Sequence, residues 1–515
     1  MFIGTWWSLV PPLLAIVLAF LTKEVYSSLF VGVAVGALLY TGFSPWDSFV
    51  SFFEIMKESM NLNILIFDVL LGMIIVLMAK SGGSAAYGNW AGSKIRSKKS
   101  ALLATTGLGV LIFVDDYFNC LTVGSVMRPV TDGHHISRAK LSYMCDATAA
   151  PVCIMMPVSS WAAAVTGIIG NEEVGFQIFL KAIPYNYYAI LTLVFIVVMT
   201  CLNIDYGPMR KHENNAAKGD LYTTPERPFA GVEEMKFNPN GKVIDLVLPV
   251  LVLVGCCVGS MVYVGYQNGG TDLITAFANT SAFDALPLGS LIALIINMIY
   301  FMVRRSMKFT ELMDCLPEGF KQMVPAILIL CLAWTIGDVT KGLGAPEFVA
   351  GIVKNLSGSL YALLPAVVFI IAAFLGFATG TSWGTFSILL PIVIPVFSGG
   401  IPAADLTSEL INGNDMLMIA IAATLGGAVM GDHCSPISDT TIMASSGAQC
   451  YHLNHVATQL PYAVTVAVVA FVNYIITAFI QVPFICLPIA IVSMVVVMLV
   501  IGKVNHSMNR HSQRD

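Results

Sequence analysis

Along this chain the polar positions come in short islands between apolar runs that are too long for a strand and too uniform for a one-sided soluble helix. Leu246 to Val264 and Ile485 to Ile501 are almost continuously apolar, and about 20 helical residues cross a hydrocarbon core of about 30 Å. Continuous runs, rather than ten-residue alternating segments, predict membrane helices and not a β-barrel. One island stands out: Gly431-Asp432-His433-Cys434-Ser435-Pro436-Ile437-Ser438-Asp439-Thr440-Thr441, with apolar residues before it from Met416 to Ala428 and after it at Ile442 and Met443. A carboxylate near the bilayer centre costs about 2.5–3.5 kcal/mol, so Asp432 and Asp439 need a compensating cation or proton. The competing reading is a solvated turn, which Pro436 and the hydroxyls would suit, but it would waste the apolar flanks.

The apolar runs predict spans over 7–22, 28–42 and 62–79, then 244–264, 287–303 and 323–338. Lys and Arg collect in cytoplasmic loops. Lys94, Arg96, Lys98 and Lys99 therefore lie inside, and the loop Trp46 to Ser59, with three acids against one lysine, lies outside. The basic stretch 203–242 is inside, as are Arg304, Arg305 and Lys308, so the second set of spans runs opposite to the first.

Each set continues in the same way, with a re-entrant hairpin (Ala101 to Pro129; Leu360 to Val396) and then a crossing interrupted by an acid a few residues before a proline. Proline removes an amide donor and opens the helix, and irregular backbone at membrane depth is tolerated where it lines a cavity. Weak internal similarity, with Gly92 and Gly351 in corresponding places, points the same way. With 184–202 and 460–479 added, the expectation is an all-α polytopic membrane protein of two inverted-topology repeats. Each repeat has five crossings, a re-entrant hairpin and a broken helix, and one extra C-terminal span follows. The segments are 1–202, the cytoplasmic linker 203–242, 243–481, and 482–515 with a cytoplasmic C-terminus.

Inverted repeats carry substrate and coupling ion at their interface, where unwound backbone and helix ends supply ligands. Four polar centres converge there. The first hairpin tip contributes Asp115, Asp116 and Asn119. Adjacent acids cannot both enter one small site, so one binds the ion and the other orients a hydrogen bond, with Asp116 preferred as the binder. The second tip, Thr379 to Thr385, offers Gly380, Thr381, Ser382, Gly384 and Thr385, glycines that permit a tight turn and hydroxyls able to ligate a hard cation or hold a carboxylate. The first break supplies Asp146 and Thr148. The second supplies Asp432, His433, Ser438, Asp439 and Thr440. Oxygen-rich sets favour alkali or alkaline-earth ions. Asp68 and Asp338, in corresponding spans, read equally as proton relays or as helix-end groups.

Composition narrows the chemistry further. Of 515 residues 57% are hydrophobic and 11% charged, and no basic face exists for nucleic acid. The eleven cysteines lie mostly in apolar runs and read as small core residues. Met1 to Trp7 lacks a basic signal-peptide start, so the first span is expected to remain. No transition metal is expected: His452 and His455 fall past the membrane segment in a polar loop, away from His433 and Cys434. No nucleophile and base face each other as a hydrolase requires, which leaves transport. A buried carboxylate is neutralised by either a proton or a metal ion, so Na⁺ and H⁺ compete for the same acids and their competition couples them.

The Gly431 to Thr441 island, Thr458-Gln459-Leu460-Pro461-Tyr462-Ala463, Gly380 to Thr385, Asp115 to Asn119 and Asp146 to Pro151 together resemble the NhaC-type Na⁺/H⁺ antiporter family, part of the ion transporter superfamily. The resemblance runs from about Asn63 to Tyr462. It implies two re-entrant hairpins, a domain moving against a scaffold in a bacterial inner membrane, Na⁺ and H⁺ as partners without a cofactor, and a homodimer. Carriage of a small organic acid or amino acid, coupled to Na⁺ or H⁺, is the alternative it leaves open.

Overall fold

The computed structural model describes residues 2–511 apart from 23, 114, 158, 170–171, 228–237, 346–347, 349–360, 400 and 402. Val114 at the first hairpin tip and Gly351 lie outside the described residues. Everything regular among the described residues is helical. The first half comprises α1 (Val10–Thr22), α2 (Val25–Tyr40), α3 (Pro45–Ser59), α4 (Leu62–Lys80), α5 (Gly83–Lys94), α6 (Lys98–Leu111), α7 (Asp116–Gly133), α8 (Arg138–Thr148), α9 (Ala150–Cys153), α10 (Ser160–Ile169), α11 (Glu172–Ala182) and α12 (Tyr187–Leu202). A short helix, α13 (Gly207–Ala216), forms within the linker. The second half comprises α14 (Ile244–Gln267), α15 (Leu273–Ala278), α16 (Ala282–Val303), α17 (Phe309–Gly342), α18 (Leu364–Thr379), α19 (Ser382–Phe397), α20 (Ser408–Ile411), α21 (Asp415–Cys434), α22 (Asp439–Gly447), α23 (His452–Ile480) and α24 (Pro483–His511).

Among the described residues six helices are long and apolar enough to cross a membrane, and a seventh span results if α11 and α12, bent by 45° at their junction, count as one. The other expected crossings take different forms. The segments predicted over 7–22 and 28–42 are helices of 13 and 16 residues, shorter than the roughly 20 that a straight crossing needs. The predicted span 323–338 is the far part of the 34-residue α17, which starts where the Lys308 amide donates to Glu311 at 2.8 Å and runs through charged residues before its apolar part. The Trp46 to Ser59 segment, read as a loop because of its acids, is the amphipathic helix α3. Pro45 opens it, Phe52 is buried, and Trp46, Phe49 and Phe53 are exposed. Aromatics at helical spacing outweigh four scattered charges there.

Two layers follow from the packing. In one, α2 and α4 pack on α17, α16 packs on α4, and α14 packs along α16. The crossing of α4 and α17 is close because glycine meets glycine: a Cβ at Gly72 would stand 2.6 Å from the Gly319 carbonyl oxygen. Lys80 and Glu318 pair at 2.6 Å beside it. In the other layer, the α6–α7 and α18–α19 hairpins enclose α8, α21, α22 and α23, with α18 lying along α21 and α7 along α22. Of the α21 window 94% is buried, so its polar end is carried into the interior of the protein.

Candidate functional site

The first hairpin turns where Asp115 caps α7, its carboxylate accepting from the Phe118 amide at 3.0 Å. Asn119 closes the turn. Its amide nitrogen donates to the Gly109 and Ile112 carbonyls, each at 2.7 Å, and to the Thr148 carbonyl at the end of α8 at 3.2 Å. The second hairpin turns at Gly380 in the left-handed region (φ +68), where a Cβ would also come within 2.5 Å of the Ile437 carbonyl oxygen. Only glycine lets this tip lie against the break between α21 and α22. Thr381 then caps α19, accepting from the Gly384 amide at 3.3 Å, and the Thr385 hydroxyl donates back to the Thr381 carbonyl at 2.8 Å.

Between α21 and α22 the backbone leaves the helix at Ser435, whose hydroxyl donates to the Phe377 carbonyl at 2.8 Å, and re-enters at Ser438, which caps α22. Asp432 thus sits at the C-terminal end of one helix and Asp439 in the first turn of the next. One Asp432 oxygen, Oδ2, accepts from the Thr440 hydroxyl at 2.9 Å and the Ser382 hydroxyl at 3.2 Å. The other, Oδ1, is buried with no hydrogen-bond partner. Ser438 stands 3.2 Å from Thr440, hydroxyl to hydroxyl. Asp439 Oδ2 accepts from Tyr117 at 2.8 Å. Asp116 Oδ2 accepts from two indoles, Trp161 at 2.9 Å and Trp383 at 3.3 Å.

Asp116 and Asp432 are both fully buried, and they are held by the consecutive residues Trp383 and Ser382 of one hairpin tip. Among the described residues no lysine, arginine or histidine lies within ion-pair distance of Asp116, Asp432 or Asp439. Three such acids in a membrane interior demand protons or a cation.

Asp146 is different. Its Oδ2 accepts from Gln459 at 2.5 Å and Thr441 at 3.0 Å, His455 Nε2 stands 3.3 Å away, and His433 Nε2 is 4.0 Å from its Oδ1. His433 is oriented by the Tyr188 hydroxyl at 3.0 Å. The hydroxyl of Thr148 bonds to its own helix at Met144 and points at no acid. His452 and His455, expected in a polar loop, instead begin α23 and are buried. The apolar residues after them extend a helix that the two polar histidines seemed to interrupt. Asp68 is not a helix-end group: it lies inside α4, buried, with both oxygens unpartnered. Asp338 is exposed on a cavity.

That cavity, of about 600 Å³, reaches Asp439 and the second hairpin tip from the side of Ser59 and Asn61. Tyr117, Phe283, Trp334 and Trp383 wall it, and Lys341 supplies a cation.

A buried acid cluster between two helical hairpins, reached by a solute-sized vestibule, defines a multi-span membrane transporter and not an enzyme. The family comparison gives the particular identity: residues 152–479 match the Na⁺/H⁺ antiporter family, and the chain belongs to that family, of the NhaC type. It is 35% identical to an uncharacterized protein of Haemophilus influenzae over 92% of this chain and 91% of that one. It is 27% identical to the malate-2H⁺/Na⁺-lactate antiporter of Bacillus subtilis over 34% of this chain and 35% of that protein. Among solved structures it is similar to the Alcanivorax borkumensis YdaH transporter, at TM-score 0.33 and 14% identity over 85% of this chain and 90% of that one.

Proposed function

We propose that the protein exchanges Na⁺ for H⁺ by alternating access, the two ions competing for Asp432, Asp439 and Asp116. The observation that carries this reading is the bare Oδ1 of Asp432, beside an Oδ2 ringed by hydroxyls from a hairpin tip and from a second helix. A proton satisfies that oxygen covalently. A Na⁺ ion satisfies it by coordination, with Ser382, Ser438 and Thr440 as neutral oxygen donors around it. Asp439 and Asp116 extend the acid cluster toward the vestibule and the indoles. Thr381, Gly380, Gly384 and Thr385 shape the tip that presents Ser382, and Asp115 and Asn119 shape the opposite one. Asp146 and Thr148 anchor the first break, with His433 beside them.

Inverted repeats support the same reading, since each half runs hairpin, then interrupted helix, and the hairpins meet tip to tip through Trp383 and Asp116. In this scheme the protein sits as a homodimer in a bacterial inner membrane with its C-terminus in the cytoplasm. Na⁺-driven proton release from inside-out vesicles, compared with Li⁺ and K⁺, tests it. A wild-type protein that moves no protons on Na⁺ addition overturns it.

A second reading has its own observation. The vestibule of about 600 Å³ far exceeds a dehydrated Na⁺ and is lined by Lys341 as well as by aromatic side chains, which suits a small organic carboxylate carried with the ions. Uptake of labelled organic acids and amino acids into proteoliposomes, with and without a Na⁺ gradient, separates the two readings.

A further inference from the structure

A second cavity lies away from the acid cluster. It measures about 700 Å³ and is bounded by the end of α12, by α13 and by the last part of α24. Its charged lining is Lys98, Asp205, Arg210, Glu213 and Lys503. Both acids are already committed. Glu213 forms an ion pair with Lys98 and accepts from the Ser137 amide at 2.9 Å and hydroxyl at 2.7 Å. Asp205 forms an ion pair with the buried Lys140 and accepts from Tyr462 at 2.8 Å. Arg210 and Lys503 have no acidic partner among the described residues, so the cavity keeps an excess of two positive charges. Arg210 is half-buried, held on an otherwise packed helix whose Met209 and Ala216 are in the core.

The rim of the cavity is apolar. Leu202 and Leu499 line it and are each 46% exposed. Leu499 belongs to α24, whose apolar window is only 22% buried inside the protein, so this face of the helix meets acyl chains. A cationic pocket edged by lipid-facing leucines, at the end of the spans where basic residues concentrate, has the chemistry of an anionic lipid site.

We infer that the cavity between α12, α13 and α24 binds the headgroup of an anionic phospholipid, its phosphate held by Arg210 and Lys503 and its chains lying over Leu202 and Leu499. Asn203 and Asn214 also line the cavity and would be further donors to phosphate oxygens. The bound lipid joins the linker helix to the last span. Through Lys98 and the Asp205–Lys140 pair it also neighbours the first residues of α6 and α8, the elements that carry the first hairpin and Asp146.

The test uses the full-length protein in nanodiscs of phosphatidylcholine with and without phosphatidylglycerol, with retained lipid counted by native mass spectrometry. Wild type retains phosphatidylglycerol. The double variant Arg210→Gln/Lys503→Gln binds it about 30-fold more weakly, two charges at about 1 kcal/mol each near the surface. Lys211→Gln/Lys218→Gln, on the same segment but outside the cavity lining, binds it as wild type does. Equal retention in the Arg210/Lys503 variant, or an equal loss in the control, overturns the site. Displacement of the lipid by inorganic phosphate alone assigns the cavity to a soluble anion and overturns the lipid assignment.

Discussion

The two helix breaks carry equivalent acids, Asp146 and Asp432, yet the protein treats them in opposite ways. Asp146 has an amide and a hydroxyl donating to Oδ2 and two imidazoles flanking it, although its Oδ1 accepts no hydrogen bond. Asp432 also keeps its Oδ1 bare, but it receives only hydroxyls, and among the described residues no cationic side chain or imidazole stands within ion-pair distance. A carboxylate flanked by two imidazoles has a countercharge at hand, and moving it strands the Gln459 amide and the Thr441 hydroxyl at about 1–3 kcal/mol apiece, which makes it an anchor. A carboxylate with a vacant oxygen and no countercharge is where the proposed exchange would seat a mobile ion. Under the proposed exchange of Na⁺ for H⁺, the difference would assign holding to one half of the molecule and exchange to the other. Thr441 links the two, donating to Asp146 and standing 3.4 Å from the Asp432 carbonyl.

Substitution at the exchanging acid has the largest expected effect. Asp432→Asn removes the charge that Na⁺ neutralises, so Na⁺-dependent proton release in inside-out vesicles falls to background while the amount of folded protein is unchanged. Normal release from that variant breaks the comparison.

Asp146→Asn is expected to do the reverse. One amide replaces an acceptor used by Gln459 and Thr441, so the melting temperature drops by the equivalent of about 2–3 kcal/mol. The molecules that remain folded still couple proton movement to Na⁺. A variant with wild-type melting behaviour and no Na⁺ response would exchange the two roles.

Ser382→Ala sharpens the distinction. Losing one hydroxyl from the Asp432 carboxylate raises the Na⁺ concentration for half-maximal flux about tenfold, the scale of a hydrogen bond to a charged group, and leaves the maximal rate nearly intact. An unchanged Na⁺ titration would take the hairpin hydroxyl out of the ion site.

The smallest effect belongs to the anchoring side. Burial pushes the Asp205 carboxyl up, but the Lys140 ammonium and the Tyr462 hydroxyl outweigh it and hold the group below the usual carboxylate range. A carboxyl depressed in the folded state stabilises above its ordinary value and loses that contribution as pH falls through the folded value. Thermal unfolding of wild type should therefore soften only in distinctly acid buffer, and Asp205→Asn should flatten that dependence. A wild-type profile retained in the variant would put the acid sensitivity elsewhere.

Much of this was legible in the chain. Acids inside apolar runs, prolines beside them and the glycines of the second tip were enough to bring Asp116, Ser382, Asp432, Asp439 and Thr440 forward, because a charge in a hydrocarbon setting has few reasons to exist. What sequence reasoning missed has a common cause. Trp161, Trp383, Tyr117 and Gln459 act through a single polar atom on a large side chain, and nothing in an apolar window separates an indole that packs from one that donates. Tyr117, Trp383 and Gln459 stand within the motifs that carry the family resemblance, which was the available signal. Trp161 had none. Helix length was misjudged where charges interrupt an otherwise helical pattern, as in α3 and the first part of α17, since helix propensity and packing tolerate charges that a hydropathy argument treats as boundaries.

Asp116 accepts from one indole of each half of the chain, Trp161 of α10 and Trp383 of α19. The second hairpin can withdraw from the first half only by surrendering the Trp383 donor, and protonation or ion binding at Asp116 alters the field felt by both rings. The transporter thus contains its own optical probe: ultraviolet emission and near-ultraviolet circular dichroism would report the hairpin movement that alternating access requires without any attached dye, and Trp161→Phe and Trp383→Phe would apportion the signal between the two indoles.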